Sequence, residues 1–327
     1  MPKVLLLYNE PRLASNHPDA ESERDLLHTV EAVQKALLQF RHEVQRCGLR
    51  YSPEELLQAL NRYQPDVVFN LFEGFGHNPA SEYHVAGLLD WLGIPYTGCP
   101  LEAMVLGRDK VRTKFLMRGQ GIPTADFQVV YSKDDIKPVA SWPLFVKPAA
   151  TDASLGIDQK SVVTSKDTLQ AKVAELNDRY GVPVILETYL PGTEFNVGVV
   201  EIPQRTCLPI AEMVYTPQQG VSWPIVSYAS KWVTGSPEDL AMQPRCPAQI
   251  SEELSAQLQE IALKAFTLAG CQDVARVDIR LDEQGQPQVL EVNPNPDLGP
   301  QAGLARMLKV YGLAYDAFIN QLVTNHL

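Results

Sequence analysis

The strongest constraint on the fold is a pair of alternating sequence patterns near the end of the chain, one on each side of Gly285. The first pattern, A-R-V-D-I-R-L-D, covers Ala275 to Asp282, and the second, Q-V-L-E-V-N-P, covers Gln288 to Pro294. Two alternating runs joined by a short turn that contains glycine are typical of a β-hairpin. We therefore predict an antiparallel pair of strands at this place.

The register of this hairpin follows from its turn. If the turn is symmetric about residues 284 and 285, Asp278 faces Glu291 and Arg276 faces Asn293. All four side chains then lie on one face, because side chains alternate along a strand. Opposed side chains have Cβ atoms about 4.5 to 5.5 Å apart, so two carboxylates at such positions repel each other unless one is protonated or a cation lies between them.

Magnesium fits this arrangement, because it prefers oxygen ligands and usually takes one or two carboxylates together with substrate phosphates. The predicted metal ligands are Asp278, Glu291 and Asn293, with Glu291 as the bridge if two ions bind. The alternative is a solvated sheet face on which Arg276 and Arg280 neutralise the two carboxylates. A bulge in the hairpin would break the register on which the predicted metal site depends.

The beginning of the chain has a different pattern, in which strands alternate with helices. Apolar runs at Lys3 to Asn9, Val44 to Cys47 and Asp66 to Leu71 are typical of strands, and helical patterns lie between them. This alternation predicts a parallel sheet. Ligands bind beyond the C-terminal ends of such strands, which here means near residues 9–23 and 73–82.

The chain of 327 residues is long enough for two or three compact units. We predict a mixed α/β fold with a parallel α/β unit over residues 1–96, a smaller α+β unit over 97–186, and a unit that carries the hairpin over 187–327. The Pro-rich stretch from Pro217 to Pro247 is predicted to be an irregular loop. A loop of that length is usually functional or disordered.

Composition excludes several classes of partner. With 28 Lys and Arg against 39 Asp and Glu the net charge is −11, and the basic residues are not clustered as nucleic-acid binding requires. No apolar run reaches the roughly 20 residues that span a membrane, and the first residues lack the features of a signal peptide. The five cysteines are far apart, which favours reduced thiols. We therefore expect a cytoplasmic protein that binds neither nucleic acid nor membrane.

Several motifs together resemble one superfamily. R-V-D at Arg276 to Asp278 and E-V-N-P at Glu291 to Pro294 resemble the metal-binding end of ATP-grasp ligases. Further motifs resemble the D-alanine:D-alanine ligases in the same order along the chain. They are L-G-I-P-Y-T-G at Leu92 to Gly98, D-K at Asp109 and Lys110, G-I-P-T at Gly121 to Thr124, F-V-K-P at Phe145 to Pro148, S-L-G at Ser154 to Gly156, E-T-Y-L at Glu187 to Leu190, and G-T-E-F at Gly192 to Phe195.

The resemblance implies an ATP-grasp fold, with a parallel-sheet N-terminal domain followed by two α+β domains that clamp ATP. It implies ATP and Mg²⁺, with two metal ions expected and Mn²⁺ as a substitute. The substrates would be small molecules, namely amino acids or amines. A homodimer is a further expectation from this family.

The same motifs imply a set of nucleotide-binding residues. The phosphates would be contacted by Lys110, Lys147 and Lys231 and by a small-residue loop that contains Ser154. The adenine would bind at a hinge formed by Glu187, Tyr189 and Leu190, and the ribose would bind to the carboxylate of Glu194. Each of them alone has an ordinary alternative as a surface lysine, a strand carboxylate or a flexible turn.

Catalytic roles are implied for Ser154 and for three other residues. Lys231, with Trp232, resembles the mobile active-site loop whose closure excludes water. Glu23 would hold the ammonium of the first amino acid, and Arg276 would stabilise the acylphosphate and the tetrahedral oxyanion. The alternatives are that Trp232 anchors a loop, that Glu23 is a favourable charge at a helix start, and that Arg276 pairs with Asp278.

The sequence departs from these ligases where the substrate would bind. Asn293 is followed by P-N-P-D-L-G instead of a Pro-Gly turn, and Ala302 stands near the place of a serine that grips the acceptor's carboxylate. Thr151, Asp152 and Ala153 also differ from the usual phosphate-loop residues. Three functions therefore remain open: a D-alanine:D-alanine ligase, a related ligase that uses another amino acid, peptide or amine, and a non-catalytic nucleotide-binding module.

Overall fold

The computed structural model describes residues 1–11, 20–75, 80–151, 154–181 and 183–327, and the side chains of residues 20–25 fall outside that description. The described part is a mixed α/β fold with three separate sheets. None of its helices is long and apolar enough to cross a membrane.

A parallel sheet forms the N-terminal unit, as predicted. Its strand order is β2 (Glu43–Leu49), β1 (Lys3–Asn9) and β3 (Val67–Leu71). The helices that accompany it are α1 (Ala20–Gln39), α2 (Pro53–Tyr63) and α3 (Ser81–Leu92). In β1 the residues from Val4 to Leu7 are 0% exposed, because both faces of a parallel sheet are covered.

A four-stranded antiparallel sheet forms the middle of the chain. Its order is β4 (Phe127–Val130), β7 (Val184–Thr188), β5 (Leu144–Pro148) and β6 (Val162–Val163). Helix α6 (Lys166–Tyr180) packs on this sheet through Leu169, Val173 and Leu176. Two helices precede the sheet, α4 (Leu101–Arg108) and α5 (Lys110–Gly119).

The third sheet is the largest and is antiparallel. Its order is β11 (Met242–Arg245), β10 (Ala211–Tyr215), β8 (Glu194–Glu201), β12 (Val274–Leu281) and β13 (Pro287–Pro294), and β9 (Arg205–Cys207) pairs with β8. The helices of this part are α7 (Tyr228–Trp232), α8 (Pro237–Ala241), α9 (Glu252–Leu268), α10 (Gly303–Tyr311) and α11 (Tyr315–Thr324).

The hydrophobic cores group the first sheet with the third. Leu5 of β1 and Val277 of β12 belong to one buried cluster, and Val4 shares another with Phe318 of α11. The four-stranded sheet has its own cluster around Leu176. The predicted domain boundaries at residues 96 and 186 stay a prediction. The hydrophobic core of the middle sheet is separate from the two clusters that the first and third sheets share.

The stretch from Pro217 to Pro247 contains regular structure, so the prediction of an irregular loop was wrong for α7, α8 and β11. The side chains of Ser227 and Ser236 cap the two helices, and Pro237 follows the second cap at the first helical position, where its missing N–H costs nothing. Helices of five residues are too short to show a helical period in the sequence.

Candidate nucleotide and metal site

A cleft opens between the four-stranded sheet and the largest sheet. Lys147 of β5 and Glu187 of β7 lie on one wall, and Asp278 of β12 and Glu291 of β13 lie on the other. The cleft is lined by every residue that the sequence predicted for ATP. These are Lys110, Lys147, Ser154, Glu187, Tyr189, Leu190, Glu194 and Lys231. The fold thus brings into one cavity residues from widely separated motifs, and their roles stay a prediction.

The charged side chains of the cleft balance each other. The basic ones are Lys110, Lys147, Lys231 and Arg280, and the acidic ones are Glu187, Glu194, Asp278 and Glu291. A nucleotide that arrives with divalent cations would preserve this balance, because the cations compensate the phosphate charge.

The predicted hairpin is present, and its register is confirmed at the end that faces the cleft. Asp278 pairs with Glu291 and Arg276 with Asn293. The register shifts after Asp278 through a bulge, and towards the turn Leu281 pairs with Pro287. The turn is therefore one position shorter than predicted, and the extra residue of the bulge restores the predicted pairs.

Asp278 is held in place by donors from three side chains. Arg276 donates from Nε to Oδ1 at 2.8 Å and from Nη2 to Oδ2 at 2.9 Å. Asn196 Nδ2 donates to Oδ1 at 2.7 Å, and Asn293 Nδ2 donates to Oδ2 at 3.0 Å. The salt bridge given as the alternative for Arg276 is thus present. Because the carboxylate is 5% exposed, these bonds fix its orientation.

The chemistry of the hairpin residues fits a magnesium ion. No group of three His, Cys, Asp or Glu suited to a metal occurs in the described residues, so a site here depends on Asn293 and on oxygens from a ligand. Asn293 directs its amide nitrogen to Asp278, which leaves its Oδ1 for a cation. Two carboxylates, one amide oxygen and phosphates form the set that magnesium usually takes.

Glu291 lies among the lysines of the cleft. Lys110 Nζ is 3.6 Å from Glu291 Oε2. Burial opposes ionisation of the carboxyl, but Lys110, Lys231 and Lys147 outweigh it and lower the pKa of Glu291 to about 2. Glu291 is therefore ionised at neutral pH, as a metal ligand must be.

Glu187 forms a buried ionic cluster with two lysines. Lys147 Nζ is 3.0 Å from Oε2, and Lys114 Nζ is 2.8 Å from Oε1. Oε1 accepts no hydrogen bond from the described residues besides this ion-pair contact, so it keeps a lone pair for a further donor. The amino group of a base in the cleft would satisfy this oxygen, which agrees with the adenine role implied by the sequence.

Lys114 was missed by the sequence analysis. It lies one turn after Lys110 on α5 and is 1% exposed, with its ammonium bonded to Thr124 Oγ1. Thr124 Oγ1 in turn donates to the carbonyl of Val289, beside the hairpin bulge, at 2.8 Å. The spacing of four residues between two lysines on one helix face was the signal that could have found it.

The segment of residues 216–241 closes one side of the cleft. Ser154 has a left-handed backbone with φ 60° and donates from Oγ to Val226 O at 3.2 Å. Gln159 Oε1 accepts from Ser222 N at 3.0 Å and Trp223 N at 2.9 Å. Lys231 lines the cleft, whereas the side chain of Trp232 is exposed. Both interpretations of Trp232, as part of a mobile loop and as a loop anchor, therefore stay open.

A second cleft lies at the C-terminal end of β3, near residues 73–82, one of the two places where the sequence predicted ligands to gather. It is lined by Asn70, Glu73, Glu82, Thr97 and Asp297, among others. Asn70 is 7% exposed, and its Nδ2 has no hydrogen-bond partner among the described residues. Glu82 is paired with Arg108 and Asp297 Oδ1 accepts a hydrogen bond from Gly299 N, so the lining combines carboxylates that already have partners with a buried amide donor.

The unusual P-N-P-D-L-G turn has a structural role. Asn295 has φ 51°, and its Oδ1 accepts a hydrogen bond from Cys99 N at 2.6 Å. A Cβ on Gly98, where φ is 97°, would lie 2.5 Å from that same oxygen. The turn thus packs against the backbone at Gly98, where only glycine fits. It also places Asp297 at the second cleft.

Some predicted residues cannot be placed. The side chain of Glu23, and residues Asp152 and Ala153, lie outside the described part of the chain. Arg276 and Asn293 do not line the first cleft themselves, but both bond to Asp278, which does. Arg280, given at first to a solvated face, lines the cleft and is 5% exposed. For Arg280 that alternative was wrong.

Comparison with known proteins gives consistent matches. The protein is 31% identical to uncharacterised protein y4sG of Sinorhizobium fredii, over 90% of this chain and 85% of that protein. It is 32% identical to D-alanine–D-alanine ligase B of Chromobacterium violaceum, over 80% of this chain and 81% of that protein.

The fold is shared with a solved structure, that of D-alanine–D-alanine ligase from Bacillus anthracis complexed with ATP. The TM-score is 0.77 at 19% identity, with 100% of this chain and 97% of that chain covered. This match confirms the predicted ATP-grasp fold. Residues 116–324 match the family described as D-ala D-ala ligase C-terminus. The chain belongs to that family of ligases.

Proposed function

We propose that the protein is an ATP- and magnesium-dependent ligase that joins a carboxylate to an amine through an acylphosphate. The observation that carries this proposal is the convergence of Lys110, Lys147 and Lys231, from three different elements, on the carboxylate of Glu291. Lysine ammonium groups beside a potential metal ligand are suited to bind the negatively charged phosphates of a nucleotide. Membership of the ligase family supports the same reaction.

The nucleotide would bind with its base at the hinge that follows β7. The buried Oε1 of Glu187 is the acceptor for the amino group of adenine. Tyr189 and Leu190 line this end of the cleft, and Glu194 accepts hydrogen bonds from the ribose hydroxyls. The phosphates then extend towards Lys147, Lys110 and the hairpin.

In the first step an oxygen of the substrate carboxylate attacks the γ-phosphorus, and the bond to ADP breaks with its electron pair on the ADP oxygen. Lys110, Lys147 and Lys231 neutralise the charge that develops on the phosphoryl oxygens. Asp278, Glu291 and Asn293 would hold magnesium, which supplies further charge neutralisation and orients the phosphates when it is bound.

In the second step the amine attacks the acyl carbon, and phosphate leaves with the electron pair of the broken bond. The amine loses one proton, and an amide remains. Arg276 uses Nε and one N–H of Nη2 for Asp278, so its remaining N–H groups would stabilise the oxyanion. The segment that bears Lys231 keeps water from the acylphosphate.

D-alanine is the substrate named for several relatives, and we propose it as the first acceptor to test. A different amino acid, peptide or amine is the second candidate, because Ala302 provides no hydroxyl at the start of α10 and the turn before it brings Asp297 to the second cleft. Carboxylates at that place favour an acceptor with an additional amino group.

The test is release of ADP and phosphate from ATP and magnesium, with D-alanine alone and beside a panel of L- and D-amino acids, dipeptides and diamines. Turnover with D-alanine and formation of its dipeptide would support the first candidate, and turnover with another pair would support the second. ATP binding without turnover under every condition would contradict the ligase proposal and favour the non-catalytic module.

A further inference from the structure

Arg280 lies in the nucleotide cleft without a role in the reaction. It follows Asp278 by two positions on β12, so both side chains are on one face of the strand. Its side chain is 6% exposed and lines the cleft beside Tyr189, Leu190 and Glu194. A buried guanidinium is costly unless it is well paired, so its partners indicate what it does.

The guanidinium of Arg280 joins three separate segments. Nε donates to the carbonyl of Leu190 at 2.7 Å, Nη1 donates to Glu194 Oε2 at 3.2 Å, and Nη2 donates to the carbonyl of Pro224 at 2.5 Å. Its Cζ also lies 5.6 Å from the centre of the Tyr189 ring. One side chain therefore bonds to the hinge, to β8 and to the segment that closes the cleft.

The geometry of these bonds requires arginine. A planar fork of N–H groups directs three donors to fixed places, whereas the ammonium of a lysine is a single point on a flexible stem. The two carbonyls and the carboxylate are thereby held at fixed separations. Of these groups, Glu194 is the proposed acceptor for ribose, and Leu190 belongs to the proposed adenine hinge.

We infer that Arg280 is a positioning residue for nucleotide recognition, which orients Glu194 towards the ribose hydroxyls and so makes the protein discriminate adenosine ribonucleotides from their 2′-deoxy forms. This inference rests on the proposed nucleotide site. Without Arg280, Glu194 would lose the bond that fixes Oε2, and the hinge and the closing segment would lose their common partner. Affinity for the ribose would fall more than affinity for the base.

The test measures binding of ADP and of 2′-deoxy-ADP by calorimetry with magnesium, in the wild type and in Arg280→Met, Arg280→Lys and Glu194→Gln. We expect the wild type to prefer ADP, and Arg280→Met to bind ADP about tenfold or more weaker, since a hydrogen bond to a charged group is lost. The ratio of the dissociation constant of 2′-deoxy-ADP to that of ADP should fall towards one in Arg280→Met and Arg280→Lys. The same fall is expected in Glu194→Gln.

Arg245 provides the control, because it pairs with Glu212 at 2.9 Å in the same sheet but does not line the cleft. Arg245→Met should keep the wild-type preference. If Arg280→Met does not fold, Arg280→Met with Glu194→Gln removes the unpaired buried carboxylate, and it should show the preference of Glu194→Gln alone.

The outcomes separate the two levels of the proposal. A wild type that binds no adenine nucleotide would overturn the nucleotide site itself. A wild type that binds ADP, together with Arg280 variants that keep its preference over 2′-deoxy-ADP, would overturn only the inference about Arg280. A general loss of affinity for both nucleotides at an unchanged ratio would also overturn it, because it would indicate a merely structural role.

Discussion

Lys114 and Glu187 form an ion pair in which Nζ lies 2.8 Å from Oε1, with 1% and 3% of the two side chains exposed. Glu187 also forms an ion pair with a second lysine, Lys147. Lys114 is attracted by Glu187 but repelled by the nearby charge of Lys147. Burial consequently lowers the pKa of Lys114, while the two lysines together outweigh burial and lower the pKa of Glu187. Removing either lysine would therefore leave the charge of Glu187 under-compensated.

The first prediction is that Lys114→Met lowers the free energy of unfolding by about 3 kcal/mol, because removing one partner of a buried pair leaves the other under-compensated. Urea unfolding measures the change. Lys264→Met is the matched control, because Lys264 pairs with Glu260 on the surface with 60% and 67% of the side chains exposed. Its loss should leave the free energy of unfolding close to that of the wild type, because solvent screens an exposed pair. Equal effects of the two substitutions would contradict the prediction.

The second prediction concerns acid stability. The folded pKa of Glu187 is lower than its ordinary value of 4.5, so its contribution to stability is present above about pH 4.5 and is lost as the pH falls towards the folded pKa. Glu187→Gln should therefore weaken the dependence of unfolding free energy on pH below 4.5. Unfolding in urea at a series of pH values tests this. An unchanged slope in the variant would show that the carboxyl is not the group that titrates.

The hairpin could be predicted from the sequence because its signal is local. Alternation along each strand put Asp278 and Glu291 on one face, and the pairing of Arg276 with Asn293 followed from the same register. The bulge could not be predicted, since the apolar and polar pattern is the same with or without the extra residue. The register came out right because the turn is also one position shorter than expected.

The connections of Arg280 could not be predicted, because they depend on contacts between distant parts of the chain. Its partners Leu190, Glu194 and Pro224 lie 90, 86 and 56 residues away. Local periodicity shows which face of a strand a residue occupies but not what covers that face. The family motifs assigned Lys147 and Glu187 to one nucleotide site, and both residues line the cleft with an ion pair of 3.0 Å between them. Their roles stay a prediction.

The third prediction tests the metal site. Asp278→Asn keeps the size of the side chain but removes its charge, so ADP formation should fall about 100-fold or more, as expected for the loss of an electrostatic group at the reacting phosphates. The magnesium or manganese concentration that gives half-maximal activity should rise. Asp316→Asn, at the start of α11, is the control and should behave as wild type. Near-normal turnover in Asp278→Asn would refute the metal role.

The fourth prediction concerns the segment that closes the cleft. Gln159 fixes it through the backbone N–H groups of Ser222 and Trp223, at 3.0 and 2.9 Å, and donates to the carbonyl of Trp223 at 3.3 Å. Gln159→Ala removes these three bonds and a longer one from Nε2 to Glu238 Oε2 at 3.5 Å, so the segment should open more often, and hydrogen exchange over residues 218–232 should become faster.

Opening of this segment would admit water to the acylphosphate, and we therefore expect Gln159→Ala to release more phosphate per amide formed than the wild type. Both products are measured in the same reaction. Gln128→Ala is the matched control, because Gln128 accepts a hydrogen bond from Lys137 N at 3.1 Å on the surface of the middle unit. If exchange accelerates in Gln159→Ala while the ratio of phosphate to amide stays constant, the segment does not protect the intermediate, and its contact with Gln159 serves stability alone.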